Sequence, residues 1–396
     1  MSRIIPVEWW VLLVALALVA RIGAAIAIGS GFHFADEAIY VDTARRLSQG
    51  SGFGVDYQQV PGYPVFLMLL SLGLPGQPAF LRGAQAVVAA FGTLLVFRLA
   101  DRMFGRRTAI AAGLFYALDP LLVISSALLY PEASAAVLLT AIVLLATGAA
   151  ERDAVMQSAL TGGLLGLLAL LRPVALILPP VVGGWIALTT ATRPVRRVAH
   201  LGALTLAFLL VLAPWTARNY QIHGQLLPPA TAGAHTAPVP REEVAERGLA
   251  VSVTRWAWRD PAALLSRITR QFAQFWELVP TRMTSDDPVK RARLHQRDSR
   301  LSVQPLFSRR LRDLISAGSF SLELFLALVG VIVVSRTHWR NALLLVAVIM
   351  TYAVGYALFV AKLRYRIPVL PLLFLFTGVG AAAVFQFIRR AADRSR

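Results

Sequence analysis

The feature that most constrains this chain is a succession of apolar runs, each about as long as a bilayer is thick. They lie at about residues 9–29, 79–100, 109–128, 131–149, 157–172, 174–190, 200–217, 314–334, 341–360 and 367–388, with 157–172 the shortest. A helix rises about 1.5 Å per residue, so roughly 20 apolar residues cross the hydrocarbon layer. Backbone groups in lipid need partners inside the segment or inside a closed barrel. These runs are continuously apolar and lack the period-two alternation of barrel strands, which leaves helices. With 57% hydrophobic and 15% charged residues and a mean hydropathy of +0.63, an ordinary soluble domain is excluded. The expectation is an all-α integral membrane protein, a multi-span helical bundle with short juxtamembrane helices in an outer-face loop region. No small-x-small cleavage site follows the first run and Arg21 interrupts it, so it reads as a retained helix rather than a signal peptide.

Charge in the short connections sets the orientation. Arg102, Arg106 and Arg107, then Arg193, Arg196 and Arg197, then Arg336 and Arg340, then Arg389, Arg390, Arg394 and Arg396 fall on one side. The positive-inside rule places that side, with both termini, in the cytoplasm of a bacterial inner membrane. Three cations oppose the trend: Lys362, Arg364 and Arg366 fall on the outer side. The net charge of +18 is almost wholly arginine, because Lys290 and Lys362 are the sole lysines. Much of it sits on the inner connections, which argues for membrane lipids as partners and against nucleic acid. Zero cysteines exclude disulfides and thiolate metal sites.

One long hydrophilic stretch, about residues 218–312, carries sixteen Arg or Lys against eight Asp or Glu. It divides the chain into an N-terminal transmembrane module (1–217), an extracytoplasmic loop (218–312) and C-terminal transmembrane helices (313–396). The loop opens with an extended Pro-, Ala- and Thr-rich segment, Leu226 to Pro240. It later contains Asp260-Pro261 followed by Leu264, Leu265, Ile268, Phe272, Phe275, Trp276 and Val279 at helical spacing. Asp260 as N-cap and Pro261 in the first turn predict an amphipathic helix over about 260–279, lying along the membrane surface with Arg267 and Arg270 opposite its apolar face.

Polar groups at the water boundary of so apolar a chain are candidates for chemistry. The first external loop (30–78) begins with the adjacent carboxylates Asp36 and Glu37, opening a short helix that ends near Gly50. Helix capping explains such a pair as readily as catalysis does. Gln59 and Tyr63 flank the segment Val60-Pro61-Gly62, which leads into an apolar run (Val65–Leu74) too short to span. Glu132 follows Tyr130-Pro131 at an outer helix junction, as a cap or as a second acidic group. Arg172-Pro173 and Arg218-Asn219-Tyr220 mark two more outer ends. Arg21 and Glu323, inside spans, are expected to face the bundle interior.

In order and spacing these features resemble the polyprenyl-phosphate-sugar-dependent membrane glycosyltransferases of the GT-C architecture, the group of protein O-mannosyltransferases and lipid A aminoarabinose transferases. The resemblance is carried by Asp36-Glu37, PGYP at Pro61–Pro64, LYPEA around Glu132, LLRP at Leu170–Pro173, APWTARNYQIHG from Ala213, DPAALLSRITRQFAQFW from Asp260 and LRYRIPVLPLL from Leu363. It implies an outward-facing site in which an acidic residue of the first external loop, Asp36 foremost with Glu37 and Glu132 beside it, is general base on an acceptor hydroxyl or amine. It also implies inversion at the anomeric carbon and a lipid phosphate as leaving group. That anion needs cations, and Arg218, Arg364, Arg366, Arg172 and Lys362 stand at outer helix ends. Some relatives carry a cation or histidine just before the proline of the PGYP-like segment, where this chain has Gln59 and Val60. The load therefore shifts to the arginines. A divalent cation near Asp36, Glu37 and His33 is conceivable on spacing, and the acceptor is an unidentified glycan, lipid or protein. The rival reading is a transporter or flippase of lipid-linked saccharides. Such a protein is expected to show paired broken helices in two repeated halves, and no internal repeat is visible here.

Overall fold

Proline and glycine punctuate the chain, and the helices start and stop where they fall. The computed structural model describes residues 8–54, 57, 59–71, 77–190, 193–223, 239, 243, 248–279, 288–302 and 308–394. Helix α1 (Trp9–Ile28) is followed by α2 (Ala35–Ser48) and α3 (Gly62–Leu70) within the first connection. Then come α4 (Pro78–Phe104), α5 (Arg106–Leu118), α6 (Pro120–Ala127), α7 (Pro131–Arg152) and α8 (Val155–Leu171). A 3-10 turn (Pro173–Ile177) leads into α9 (Pro179–Thr189) and the long α10 (Pro194–His223). Beyond it lie α11 (Leu249–Arg259), α12 (Pro261–Phe275), α13 (Pro288–Arg297), α14 (Arg309–Thr337) and α15 (Trp339–Leu358). The chain closes with a 3-10 turn (Leu363–Val369) and α16 (Leu370–Arg394). Proline occupies the first turn of α4, α6, α7, α9 and α12, where its missing N–H costs nothing.

Among the described residues seven helices are long and apolar enough to cross a membrane, and the pair α5 and α6, bent by 51° at Asp119, is a broken span or a re-entrant loop beside them. The runs near 157–172 and 174–190 form the shorter apolar helices Val155–Leu171 and Pro173–Thr189. Among the described residues, β-structure is confined to an isolated bridge between Phe32 and Leu301. The protein is a multi-span helical membrane protein. Two expected boundaries shift: α10 continues through 217 to His223, and α14 begins at Arg309, ahead of 313. The Leu226–Pro240 segment, apart from Val239, and the end of the 65–74 run lie outside the described residues.

Close helix contacts come from small residues, as is usual where lipid supplies no hydrophobic drive. A Cβ on Gly162 would collide with the Leu204 carbonyl of α10, and one on Gly330 with the Phe376 carbonyl of α16. Arg21 is fully buried, as its place in a span implies. Its guanidinium donates to the carbonyls of Ala117 (3.0 Å) and Tyr116 (2.7 Å) and so caps the last turn of α5 beside the bend.

The expected surface helix forms, with the Asp260 side chain accepting from Ala263 N at 2.9 Å. Its packing differs from the expectation. Phe275 is fully buried among Trp276 and Tyr356, and Trp276 stacks on Phe320 of α14, so one end of the helix docks on protein rather than on lipid. Arg267, expected on the outward face, donates to the Leu358 carbonyl at 3.2 Å and to the Phe359 carbonyl. It caps the end of α15, where the helix leaves carbonyls without partners. A second tie joins the ends of the long loop and the first connection. Arg300 grips both Asp42 carboxylate oxygens of α2 at 2.9 Å, Phe32 N donates to the Arg300 carbonyl (3.2 Å), and Ser302 N donates to the Phe32 carbonyl (2.7 Å).

Candidate functional site

The breaks between helices at one end of the bundle supply the site. Helix α6 ends at Ala127, and residues 128–130 form a bend, with Tyr130 N donating to the Leu128 carbonyl at 2.8 Å, before Pro131 restarts the chain as α7. The carbonyls of that last turn have lost their helical partners. Two side chains on one face of α4 take them up. Arg82 donates to the Ala127 carbonyl at 2.7 Å, and Gln85 donates to the Ser126 and Leu128 carbonyls at 2.9 and 2.7 Å. Three residues apart, Arg82 and Gln85 are neighbours on the helix surface. Neither was among the expected site residues. The signal was present: an arginine and a glutamine at that spacing inside an otherwise apolar turn.

Glu37 completes the same structure. Its carboxylate accepts from His33 N (2.7 Å), Phe34 N (3.1 Å), Leu129 N (2.9 Å) and Arg82 Nη1 (2.8 Å), and the pair with Arg82 is completely buried. At the third position of α2, Glu37 reaches back to the helix start, so it caps α2 while it fixes the 128–130 segment. Arg82 also donates to the Gly31 carbonyl at 2.8 Å. Tyr63 belongs to this scaffold as well. It is fully buried, donates to Gln85 Oε1 at 2.7 Å, and packs edge-on against Tyr40. Gln59 lies nearby and half-buried, with its Oε1 enclosed and without a hydrogen-bond partner.

Asp36, one residue earlier, faces the other way. Its side chain is 42% exposed, accepts from the Tyr130 hydroxyl at 3.0 Å, and lies 3.5 Å from Arg364 Nη2. Burial pushes the Tyr130 phenol well above its ordinary range, so it stays protonated and donates. The Arg364 guanidinium lies over the Tyr130 ring, 4.4 Å from its centroid.

Glu132 lies in the first turn of α7 and is 1% exposed. Two arginines meet it: Arg364 Nε at 3.4 Å, and Arg172 in close ionic contact. Arg172 stands at the break between α8 and the following 3-10 turn, Arg364 in the turn before α16, and both guanidinia flank the Tyr365 ring at 5.5 and 5.4 Å. These ionic contacts lack hydrogen-bond geometry. Both Glu132 oxygens, Arg172 Nε and Nη2, and Arg364 Nε are buried without a hydrogen bond. Asp36, Glu132, Arg172 and Arg364, far apart in sequence, thus form one cluster with an exposed carboxylate on its rim.

The other expected cations do not join it. Arg366 is buried elsewhere: it donates to the Glu277 carbonyl at 2.6 Å and lies over Phe320, beside Asp119 and Glu323. Arg218 donates to the Gly54 carbonyl (2.6 Å) and the Asn219 side chain (3.1 Å) and stacks on Trp215 at 4.4 Å, against the loop that follows α2. Lys362 is exposed. Among the described residues no three His, Asp or Glu side chains are placed to hold a metal. Glu37 is turned away from any ion shared with Asp36, since its oxygens already serve four donors.

With that geometry in hand, the likenesses to known proteins follow. Residues 63–216 match the family model of dolichyl-phosphate-mannose-protein mannosyltransferases, a stretch that contains Glu132 and Arg172 but neither Asp36 nor Arg364. No curated protein matches the chain in a sequence search. Among solved structures, the apo oligosaccharyltransferase of Archaeoglobus fulgidus superposes with a TM-score of 0.60 at 12% identity, covering 100% of this chain and 53% of the other. ArnT from Cupriavidus metallidurans bound to undecaprenyl phosphate gives 0.57 at 17% identity, covering 94% and 60%. AglB from Archaeoglobus fulgidus, in complex with an inhibitory peptide and a dolichol-phosphate, gives 0.54 at 12%, covering 98% and 51%. The chain therefore spans little more than half the length of these structures. It shares their fold, and the likeness runs along nearly the whole of this chain.

Proposed function

We propose that the protein transfers a sugar from a polyprenyl-phosphate-linked donor to an acceptor hydroxyl or amine, with inversion, and with Asp36 as general base. The observation that carries this reading is one exposed carboxylate beside the Arg364 guanidinium, which a buried carboxylate, Glu132, holds together with Arg172. Glycosyl transfer from a phosphodiester needs that combination. The acceptor O–H attacks the anomeric carbon, its proton passes to the Asp36 carboxylate, and the bond from the anomeric carbon to the phosphate oxygen breaks. The electron pair leaves with the lipid phosphate. A phosphate monoester is already a stable anion, so the leaving group needs positive charge rather than a general acid. Arg172 and Arg364 are the cations at the cluster, and their guanidinia, held against Glu132, supply the positive charge a phosphate oxygen can meet. Glu132 in this reading is the anchor that orients both guanidinia, and Glu37 is a scaffold residue. The polyprenyl phosphates in the ArnT and AglB structures, undecaprenyl phosphate and dolichol-phosphate, are the leaving group of such a donor and support the same ligand class here.

A divalent cation would find at this cluster one exposed carboxylate, Asp36, and would draw its remaining ligands from donor phosphate and water. Turnover unchanged by a strong chelator removes it from the reaction. Orientation is part of the same proposal: the arginines of the short connections place the cluster outside and both termini in the cytoplasm. In a chain without cysteine, Ser51→Cys should react with an impermeant thiol reagent on intact spheroplasts and Ser335→Cys should not. The reverse pattern would turn the cluster to the cytoplasm and sink the outward-facing reading.

The deciding experiment supplies purified protein with radiolabelled polyprenyl-phosphate sugars and envelope membranes as acceptor. Label should move to an envelope component. Asp36→Asn should lower the rate by about 100-fold or more, the range of general-base contributions, with unchanged thermal stability. Full activity in Asp36→Asn rules out Asp36 as the base. Movement of the intact donor across liposomes without cleavage would make the protein a transporter instead.

A further inference from the structure

Asp36 projects from the first turn of α2, partly exposed, where an aspartate has several staggered rotamers and free water to satisfy it. A general base needs one direction. The structure supplies it through Tyr130, whose hydroxyl donates to Asp36 Oδ2 at 3.0 Å. Tyr130 is itself held with unusual care for a residue outside a helix. Its ring packs edge-on against Phe34 and Tyr40, with centroids at 5.7 and 6.1 Å. The three residues before it are fixed by polar contacts: the Ala127 carbonyl by Arg82, the Leu128 carbonyl by Gln85, and Leu129 N by Glu37. Glu37 is the neighbour of Asp36 in sequence, so one buried ion pair sets both the segment that carries the donor and the helix turn that carries the acceptor.

We propose that Tyr130 is a positioning residue for Asp36: its phenol turns the carboxylate toward the acceptor, and the clamp of Glu37, Arg82 and Gln85 keeps the phenol in place. The inference rests on Asp36 as base and adds to it a residue that touches neither the acceptor nor the phosphate. It distinguishes two roles that the cluster could confuse. The Tyr130 ring lies under Arg364, so loss of the whole residue would also disturb the phosphate cations. Loss of the hydroxyl alone leaves the ring beneath Arg364 and takes from that cation only its contact with the phenol oxygen.

Tyr130→Phe makes that separation. It keeps the ring beneath Arg364 and between Phe34 and Tyr40, and removes one hydrogen bond to a charged group. The expected result is a fall in kcat of about 10- to 100-fold, the kinetic equivalent of such a bond. The apparent KM for the lipid-linked donor should stay within about twofold, because a group acting in the chemical step alone leaves ground-state binding unchanged. The sharper readout is the double variant. If Tyr130 acts through Asp36, adding Tyr130→Phe to Asp36→Asn should cost nothing further, since the two share one role. A merely structural Tyr130 would show the same factor in both backgrounds. Wild-type kcat in Tyr130→Phe, a change confined to KM, or an additive loss in the double variant each overturn the inference. Asp36→Asn that turns over normally sinks the general-base reading itself. That result is distinct from an inactive Asp36→Asn beside a fully active Tyr130→Phe, which sinks the positioning role alone.

Discussion

Two buried glutamates face arginines at the same end of this bundle, and they do opposite things. Glu37 and Glu132 are 0% and 1% exposed. Glu37 receives hydrogen bonds from three backbone N–H groups and one guanidinium, a full set for a carboxylate. Glu132 faces two guanidinia in ionic contact, and neither its oxygens nor their nearest N–H groups complete a hydrogen bond. Burial and an arginine partner are therefore poor guides to function. What separates the pair is saturation: the first carboxylate has closed its account with the fold, and the second sits in a cluster with donors left over. A ligand is bound by what the fold leaves unmatched.

That contrast can be broken from either side. The largest effect on stability is expected at the saturated pair. Arg82→Ala leaves the Glu37 charge buried without its counter-ion, at a cost of about 3–5 kcal/mol. The measurement is the thermal midpoint of the detergent-solubilised protein and its yield from membranes. A wild-type melting curve for Arg82→Ala would show that the pair is not structural and would dissolve the comparison. Next comes the unsaturated cluster. Adding polyprenyl phosphate should raise the thermal midpoint of the wild type, since a ligand at about 100 times its Kd adds roughly 2.7 kcal/mol to the folded state. Arg172→Ala should abolish most of that shift. If the shift survives in Arg172→Ala and also in Arg364→Ala, the phosphate binds elsewhere, with Arg218 the next candidate.

A smaller effect separates charge from shape. Arg364→Lys should recover only part of the donor affinity lost in Arg364→Ala, because an ammonium cannot offer two parallel N–H groups or lie flat on the Tyr130 ring. Equal affinities for lysine and arginine would reduce Arg364 to a point charge. The smallest effect belongs to Lys362. Exposed as it is, Lys362→Ala should change stability by no more than about 0.5 kcal/mol and leave the ligand-induced shift as in wild type. A large loss there would extend the site outward to the exposed rim.

The sequence made the helices legible because the bilayer enforces their length and proline punctuates their starts; even the Asp260 cap could be read directly. The runs near 157–172 and 174–190 were legible as two apolar segments parted at Arg172-Pro173, and both fold as helices shorter than the seven long spans. At the site, residue types and helix ends pointed to Asp36, Glu132, Arg172 and Arg364, which do converge. Direction was not legible. Arg364 and Arg366 are two residues apart in a tight turn, and whether each meets Glu132 or Glu277 depends on how α16 packs. Adjacent Asp36 and Glu37 look equivalent on paper, and only the return of the 128–130 segment decides which is consumed. Arg82 and Gln85 were visible as polar residues in an apolar helix, but their role was not, because most of their partners are backbone carbonyls, which carry no residue signal.

The Arg300–Asp42 grip and the Phe32–Leu301 bridge give the chain a kind of modularity. They fasten the returning end of the long hydrophilic segment to α2 a few residues from Asp36. Everything between His223 and Asp298 is then bracketed by two fixed points, α10 and this clasp. The entropy of closing such a segment grows slowly, by about 0.6 kcal/mol for each doubling of its length. Inserts or exchanges within the bracket should therefore be cheap for folding and should leave the reaction cluster undisturbed, provided that the docking of α12 on α15 is kept. On the proposed reading, a scaffold built this way could change what it offers to an acceptor while keeping one chemistry, and chimaeras cut at those two points would test whether this segment sets acceptor preference.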